Sequence, residues 1–252
     1  MMNNDNQISQ KTTLFGYIGV HAGASRLSAL LNKKFKANGD DMMMIPMNIR
    51  EDDFYFTVSN MKKSHVNGAI ISNEYVRDVV ELLDESSGLV KRSGMCDIIF
   101  REGEKLRGDV FMTRVVLEAL KDVNASKIAL IGTNAHAKAF SLMACGFQVS
   151  YFNDNLEELM DFCSEMELSN PDINRVAEGM DVDFSSYDAL LDFSDMQSFE
   201  MISKLALHNF DMKNAKELSV LKRRAEQLDA PYASSDDIIE TVANIAYRAI
   251  KK

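Results

Sequence analysis

Short apolar blocks alternate with amphipathic stretches along most of this chain. Thr13 to Ile18 (TLFGYI) carries aromatic and branched residues and runs into Gly19, the pattern of a strand. Leu27, Leu30, Leu31 and Phe35 then recur at helical spacing, with Ser25 placed to cap that helix and Gly39 to stop it. Met42 to Ile49 predicts a second strand, Asp52 to Met61 a second helix and Gly68 to Ser72 a third strand. This β-α-β alternation predicts a mainly parallel sheet. Tyr75 to Asp84 reads as a further helix, with Val76, Val79, Val80 and Leu83 on one face. Cys96 to Phe100 and Lys105 to Gly108 predict a hairpin across Arg101-Glu-Gly-Glu104. Thr113 to Val123 predicts a helix suited to a spine between two domains.

The second half begins the alternation again. Lys127 to Ile131 predicts a buried strand ending at Gly132, Ala135 to Cys145 a helix, and Phe147 to Phe152 the next strand, a β-α-β unit of the mononucleotide-binding kind. Asn155 to Leu168 is amphipathic and opens on an Asn155-x-x-Glu158 capping box. Asp188 to Phe193 predicts one more strand. Beyond it the spacing is helical only: Gln197 to Asn209, Lys213 to Leu228, and Ser235 to Ile250 with Ile238, Val242, Ile245 and Ala249 along one face. The second half therefore promises three or four strands. The expected divisions are an α/β domain over 13–112, a Rossmann-like domain with its linking helix over 113–235, and a final helix over 236–252 that packs back on the first domain or the spine.

Composition narrows the partners. Of 252 residues, 46% are hydrophobic and 26% charged, ordinary for a globular chain. The net charge of −10 speaks against nucleic acid or an anionic membrane, because both need a basic footprint. No apolar run approaches the roughly 18 residues needed to span a bilayer, and Met1 to Gln10 reads as a polar tail rather than a signal peptide. A cytoplasmic protein with small-molecule or protein partners is the expectation, and a homodimer is compatible with it. Cys96, Cys145 and Cys163 lack metal-ligand spacing and read as buried free thiols; Met42-Met-Met44 reads as core filling. The four histidines form no metal-binding pair, so no metal site is expected.

Several separated blocks agree in order with one known family. Gly68-Ala-Ile-Ile-Ser-Asn-Glu-Tyr-Val76 resembles the substrate loop G-x-N-V-T-x-P-x-K of shikimate and quinate dehydrogenases. Ile18 to Phe35 is collinear with their opening segment and keeps Gly19, Ser25, Asn32 and Phe35. Gly94-Met-Cys-Asp97 stands at the place of G-A-V-N, and Leu106-Arg-Gly-Asp-Val-Phe111 resembles L-x-G-D-x-F. The match covers roughly residues 14–120 and continues weakly to Gly132. The resemblance implies a two-domain α/β architecture, with an N-terminal substrate domain and a Rossmann-like domain that is reduced here.

The functional positions depart from that frame. The family's acid/base lysine and aspartate fall on Val76 and Met112, and neither side chain carries a proton. Its carboxylate-binding serines fall on Ser25 and Leu27, its loop asparagine on Ile70, its threonine on Ser72 and its later asparagine on Asp97. The resemblance thus leaves Ser25, Arg26, Ser72 and Asp97 as candidate substrate contacts. A replacement acid or base would have to come from Tyr75, Glu74, Asp97 or His21. The glycine loop is Gly132-Thr133-Asn134-Ala135, with only its first glycine kept, so Asn134 and Ala135 put side chains where cofactor phosphates need space. Asp154, about 20 positions on, suits a ribose diol rather than a 2′-phosphate. No cofactor or a weakly held NAD is expected, and NADP is not.

Three readings follow. The first is a divergent relative without orthodox shikimate dehydrogenase activity, binding a small molecule or a protein partner through its interdomain cleft. The second is an NAD-linked or cofactor-free enzyme of altered chemistry on a small polar or hydroxy-acid substrate. The third is an orthodox NAD(P)-dependent shikimate or quinate oxidoreductase.

Overall fold

The computed structural model describes residues 11–212 and 219–251. Two compact units emerge. The first takes the chain up to Ser87, Cys96–Asp109 and the residues from Ala243 on; the second takes Gly88–Met95 and Val110–Val242. The polar tail Met1 to Gln10 lies outside the described residues.

The first unit is built on β1 (Thr13–Gly19), α1 (Leu27–Ala37), β2 (Met42–Asn48), α2 (Glu51–Met61), β3 (Val66–Ile71) and β4 (Glu85–Ser86). After α3 (Gly88–Ser93), which belongs to the second unit, come the strands β5 (Ile98–Glu102) and β6 (Lys105–Asp109). Sheet order is β2-β1-β3-β5-β6-β4. β1 runs parallel to β2 and β3, whereas β5 is antiparallel to β3 and closes the expected hairpin with β6. Ile18, Leu31, Phe35, Met44, Phe54, Val58 and Ile99 are sealed from solvent, which is the apolar pattern that predicts these elements. Of the three consecutive methionines only Met44 is fully buried.

One expectation in this unit needs correction. The helix of Tyr75 to Asp84 is instead two short 3-10 turns, Asn73–Tyr75 and Asp78–Leu82. Val76 and Val79 are buried, yet Asp84 must leave the helical path because its carboxylate accepts from the Leu106 amide at 2.8 Å. Helix α1 starts at Leu27 after a helical Arg26, and Ser25, in extended conformation, accepts at its Oγ from the Leu27 amide at 3.2 Å, as the sequence leads one to expect of its cap.

The second unit contains α4 (Met112–Asp122), β7 (Lys127–Ile131), α5 (Ala135–Met143), β8 (Gln148–Asn153), α6 (Leu156–Glu165), β9 (Asp172–Arg175), β10 (Val182–Asp183), β11 (Ala189–Asp192), β12 (Ile202–Lys204), β13 (His208–Asp211), α7 (Val220–Gln227) and β14 (Ala233–Ser234). Helix α8 (Ile239–Ile250) starts here, and its larger part belongs to the first unit. There Tyr247 packs its ring 5.8 Å from Phe35, and its hydroxyl donates to Asp40 at 2.7 Å.

The second unit's main sheet has six strands in the order β14-β13-β11-β7-β8-β9, all parallel, where the apolar pattern promises three or four. The expected helix from Gln197 to Asn209 is not formed. Ile202 pairs with Val182 instead, and His208–Asp211 lies beside β11. The helical spacing of Phe199, Ile202 and Leu205 arises because all three feed the same core, with Phe152, Phe184 and Leu221. Of the helix expected from Lys213, residues 213–218 lie outside the described residues and the remainder is α7. Cys96 and Cys163 are buried, but Cys145 is exposed.

One contact sets a pH dependence. Asp188, at the entry to β11, accepts from the Ser126 amide, the Ser126 hydroxyl and the Lys127 amide at 2.8–2.9 Å. The Lys127 and Ser126 amides hold its carboxyl below the ordinary value of 3.8. A depressed carboxylate contributes stability that is fully present above its unfolded pKa and is lost as pH falls through the folded one. Urea titrations should therefore show Asp188→Asn less stable than the parent above about pH 4, with the gap closing below it. A gap that widens on acidification would contradict this assignment.

Candidate functional site

In open α/β sheets, ligands settle at the carboxyl ends of parallel strands. In the first unit these are the ends of β1, β2 and β3. The register that sets Ile70 opposite Ile98 brings Asp97, just before antiparallel β5, beside Ile71, whose amide donates to the Asp97 carbonyl at 2.9 Å. Ser72, Glu74 and Asp97 thus share one end of the sheet. Ser25, Arg26 and His21 lie on the segment that leaves β1 at the same end.

Glu74 organises this edge. Its Oε1 accepts from the Val20 amide at 2.7 Å and its Oε2 accepts from the Ser72 hydroxyl at 2.5 Å, while the Ser72 amide donates to the Ile18 carbonyl at 2.9 Å. The bridge explains Gly19. A Cβ there would sit 2.7 Å from Ser72 Cβ and 3.0 Å from Glu74 Oε1. One of the two hydroxyl positions kept from the family therefore faces a carboxylate of the chain itself.

The other candidates are committed in different ways. Tyr75 is buried, donates to the Ile49 carbonyl at 2.8 Å and stacks on Phe54 with centroids 4.1 Å apart. Burial, and then the Glu74 charge, push its phenol up, so it stays protonated. Val76 is 3% exposed, and its carbonyl accepts from the Cys96 amide at 2.8 Å. Burial raises the Cys96 thiol too, which keeps it unreactive. Asp97 is 2% exposed and its amide donates to the Asp109 carbonyl at 3.3 Å. Arg26 and His21 are exposed, His21 at the start of the turn Ala22–Ala24. Sequence reasoning missed Asn48, whose Oδ1 accepts from the Gly23 amide at 2.8 Å and ties that turn to the end of β2. Nothing in its local pattern marks it.

The second unit carries the glycine loop between β7 and α5. Gly132 has φ +102° and packs against the backbone of Phe193 and Ser194. Asn134 is the N-cap of α5, its Oδ1 accepting from the Ala137 amide at 3.1 Å. Helix N-terminal amides are what a phosphate would use, so the chain's own amide side chain occupies part of that place. The Thr133 hydroxyl donates to Glu158, which brings a carboxylate to the same loop.

Asp154 stands at the end of β8. Its Oδ1 accepts from the Asn155 amide at 2.9 Å, while Asn155 caps α6. A pocket of about 450 Å³ lies here, lined by Asp154, Asn155, Leu156, Glu157 and Arg175. Arg175, opposite Asn153 on β9, donates from Nε to the Asp154 carbonyl at 3.2 Å. The sequence reading finds no cation near Asp154; the structure places one there, from the neighbouring strand. Met112, the first residue of α4, lines a cavity of only about 10 Å³ with His136, Phe140 and Phe193. That volume holds at most one water. The sequence also missed Asp192 and Asp211, buried at facing ends of β11 and β13, where they accept from the Ser194 and Ser219 hydroxyls.

Among the described residues no helix is long and apolar enough to cross a membrane, and no three acidic, histidine or cysteine side chains gather as a metal site.

A mixed sheet with polar groups at its carboxyl edge, joined in one chain to a parallel sheet with a glycine turn, makes a two-unit α/β protein whose second unit is Rossmann-like. No family model matches the chain. The shikimate dehydrogenase (NADP(+)) of Dictyoglomus turgidum is 26% identical over 156 residues, 60% of this chain and 57% of that enzyme. The chain thus spans somewhat over half the length of this relative in the match. The fold agrees with a Thermus thermophilus shikimate 5-dehydrogenase solved with NADP(H) and shikimate, at TM-score 0.73 and 14% identity over 94% of this chain and 92% of the other. It also agrees with the ligand-free 5-ketofructose reductase of a Gluconobacter strain, at TM-score 0.70 and 13% identity over 93% and 90%. By sequence and fold together the chain is similar to the shikimate dehydrogenases.

Proposed function

We propose that this protein has left orthodox shikimate oxidoreduction and binds a small polar molecule or a protein partner instead. The observation that carries this reading is the Glu74 bridge to Ser72 and the Val20 amide. A carboxylate fixed there competes with an acid substrate for the Ser72 hydroxyl and repels its negative charge. The buried, aprotic Val76 supports the same reading, since oxidation of a hydroxyl needs a group that accepts its proton. On the cofactor side, Asn134 and Glu158 weaken the phosphate end of the site, in line with no cofactor or a weakly held NAD and no preference for NADP.

A second reading, an enzyme of altered chemistry on another small polar substrate, is favoured by Asp97, a buried carboxyl at the same edge as Ser72. The orthodox reaction has no comparable support. A thermal-shift panel separates these, because a ligand that binds only the folded state raises its midpoint by mass action. Millimolar shikimate, quinate or NADP should leave the midpoint within about a degree. A rise of about 4 °C or more with shikimate or NADP, near 1–2 kcal/mol of linkage in a chain of this size, would overturn the main reading.

A further inference from the structure

We propose that the groove between α7 and residues 197–200 of the second unit binds a small carboxylate carrying a single negative charge. The site is separate from those described above: none of its lining residues belongs to the edge around Ser72, to the glycine loop or to the end of β8.

Helix α7 has two working faces. Leu221 and Ala225 are buried in the core with Phe199 and Ile202. Val220, Arg223, Arg224 and Gln227, spaced i, i+3, i+4 and i+7, therefore share another face. Between that face and residues 197–200 lies a cavity of about 260 Å³. This is smaller than the roughly 300–1,000 Å³ of pockets that hold drug-sized ligands, so the groove suits a molecule of few heavy atoms.

The hydrogen-bonding groups left over in the groove are mostly donors. Arg224 is fixed by the chain: Nε and Nη2 donate to the Ile202 carbonyl at 2.8 and 2.6 Å, Nη2 also to the Glu200 carbonyl at 3.2 Å, and Nη1 to Gln227 Oε1 at 2.9 Å. These acceptors are neutral, so no carboxylate among the described residues offsets its charge. Arg223 is exposed, and its guanidinium has no partner among the described residues. Gln227 keeps its Nε2 donors, and Ser198, whose Oγ accepts from the Glu200 amide at 3.3 Å, keeps its hydroxyl proton. A planar guanidinium fork matches the two coplanar oxygens of a carboxylate, the geometry of a bidentate pair.

Glu200 sets the charge of the ligand. It lines the same groove, so two guanidiniums against one carboxylate leave one positive charge. A monoanion neutralises that excess. A dianion would leave negative charge behind, on a chain whose net charge is already −10.

Two-dimensional amide NMR titrations of the full chain at low ionic strength test the site, with propionate, propionamide and succinate as probes. Propionate should bind saturably, with shifts centred on 197–200 and 220–227, and succinate more weakly. Uncharged propionamide should not bind. Arg223→Gln should weaken propionate by about tenfold or more, the loss of a charge-assisted pair, and Glu200→Gln should tighten it and narrow the gap to succinate. Lys204→Gln removes a cation that does not line the groove, paired with Asp183 at 2.9 Å, and should change binding by no more than about twofold. Arg223 and Glu200 are exposed, so circular dichroism of their variants should match the parent. No saturable response to propionate would overturn the site and leave the proposed function standing, and so would equal losses from Arg223→Gln and Lys204→Gln. Propionamide binding as tightly as propionate, or succinate more tightly, would overturn the assignment of a singly charged carboxylate. Propionate shifts centred on Ser72 and Glu74 would sink the site together with the reading that Glu74 repels acids.

Discussion

Shikimate oxidation by the unmodified protein, followed as nicotinamide reduction with NAD or NADP, should run about four decades below a working dehydrogenase, or not be seen. Each positioned proton acceptor contributes typically 10²- to 10⁴-fold, and the resemblance puts Val76 and Met112 where the family has two such groups. Because the two act as one unit, their losses do not multiply in full, and about 10⁴-fold is the conservative expectation. Restoring one group should not help. Val76 is 3% exposed and its carbonyl is bonded to the Cys96 amide, so Val76→Lys would bury an ammonium. Such a lysine deprotonates or forces the turn open, at several kcal/mol. The variant should therefore lose stability without gaining turnover. Glu74→Ala is the more informative change, because it removes the carboxylate from the Ser72 hydroxyl and the Val20 amide without burying a charge. Robust turnover of shikimate or quinate by the parent would end this reading.

What the sequence made legible follows from where the apolar residues lie. Strands β1, β3, β7 and β8 carry apolar runs that mark buried strands without tertiary knowledge. Strand β13 hides, because three of the four residues of its sequence HNFD are polar although Asn209 and Asp211 are buried. Asn209 earns that burial by bonding the Ala206 and Pro231 carbonyls, partners that no periodicity reveals. β9 is an edge strand with only partly covered residues, and β14 has two residues, too few to form a pattern. The site divides in the same way. Gly132, Ser72 and Asp154 stand out by motif, and the capping role of Asn155 is visible in its spacing to Glu158. The Glu74 bridge joins residues 54 positions apart, and Arg175 reaches Asp154 from an unpredicted strand. These are tertiary facts, and they decide the chemistry more than the motifs do.

Gly132→Ala should be among the most damaging single substitutions in the second unit, lowering stability by about 3–5 kcal/mol in urea unfolding followed by circular dichroism. Two effects combine. At φ +102° an L side chain is strained whatever the space around it, and the added Cβ would lie 2.6 Å from the Phe193 carbonyl carbon and 2.7 Å from the Ser194 nitrogen. Those are backbone atoms leaving β11, held by the Phe193 amide bond to Ile131 at 2.8 Å, while Gly132 itself donates to Phe152 at 2.9 Å. Relief of the clash would break one of these bonds at the centre of the sheet. Gly103→Ala separates the two effects, because that glycine also has positive φ, +65°, but nothing lies within 4 Å of its Cβ position. It should lose only the about 1 kcal/mol of left-handed backbone strain. If Gly132→Ala proves no worse than Gly103→Ala, the loop is not locked against β11, and its retained glycine answers to something other than packing.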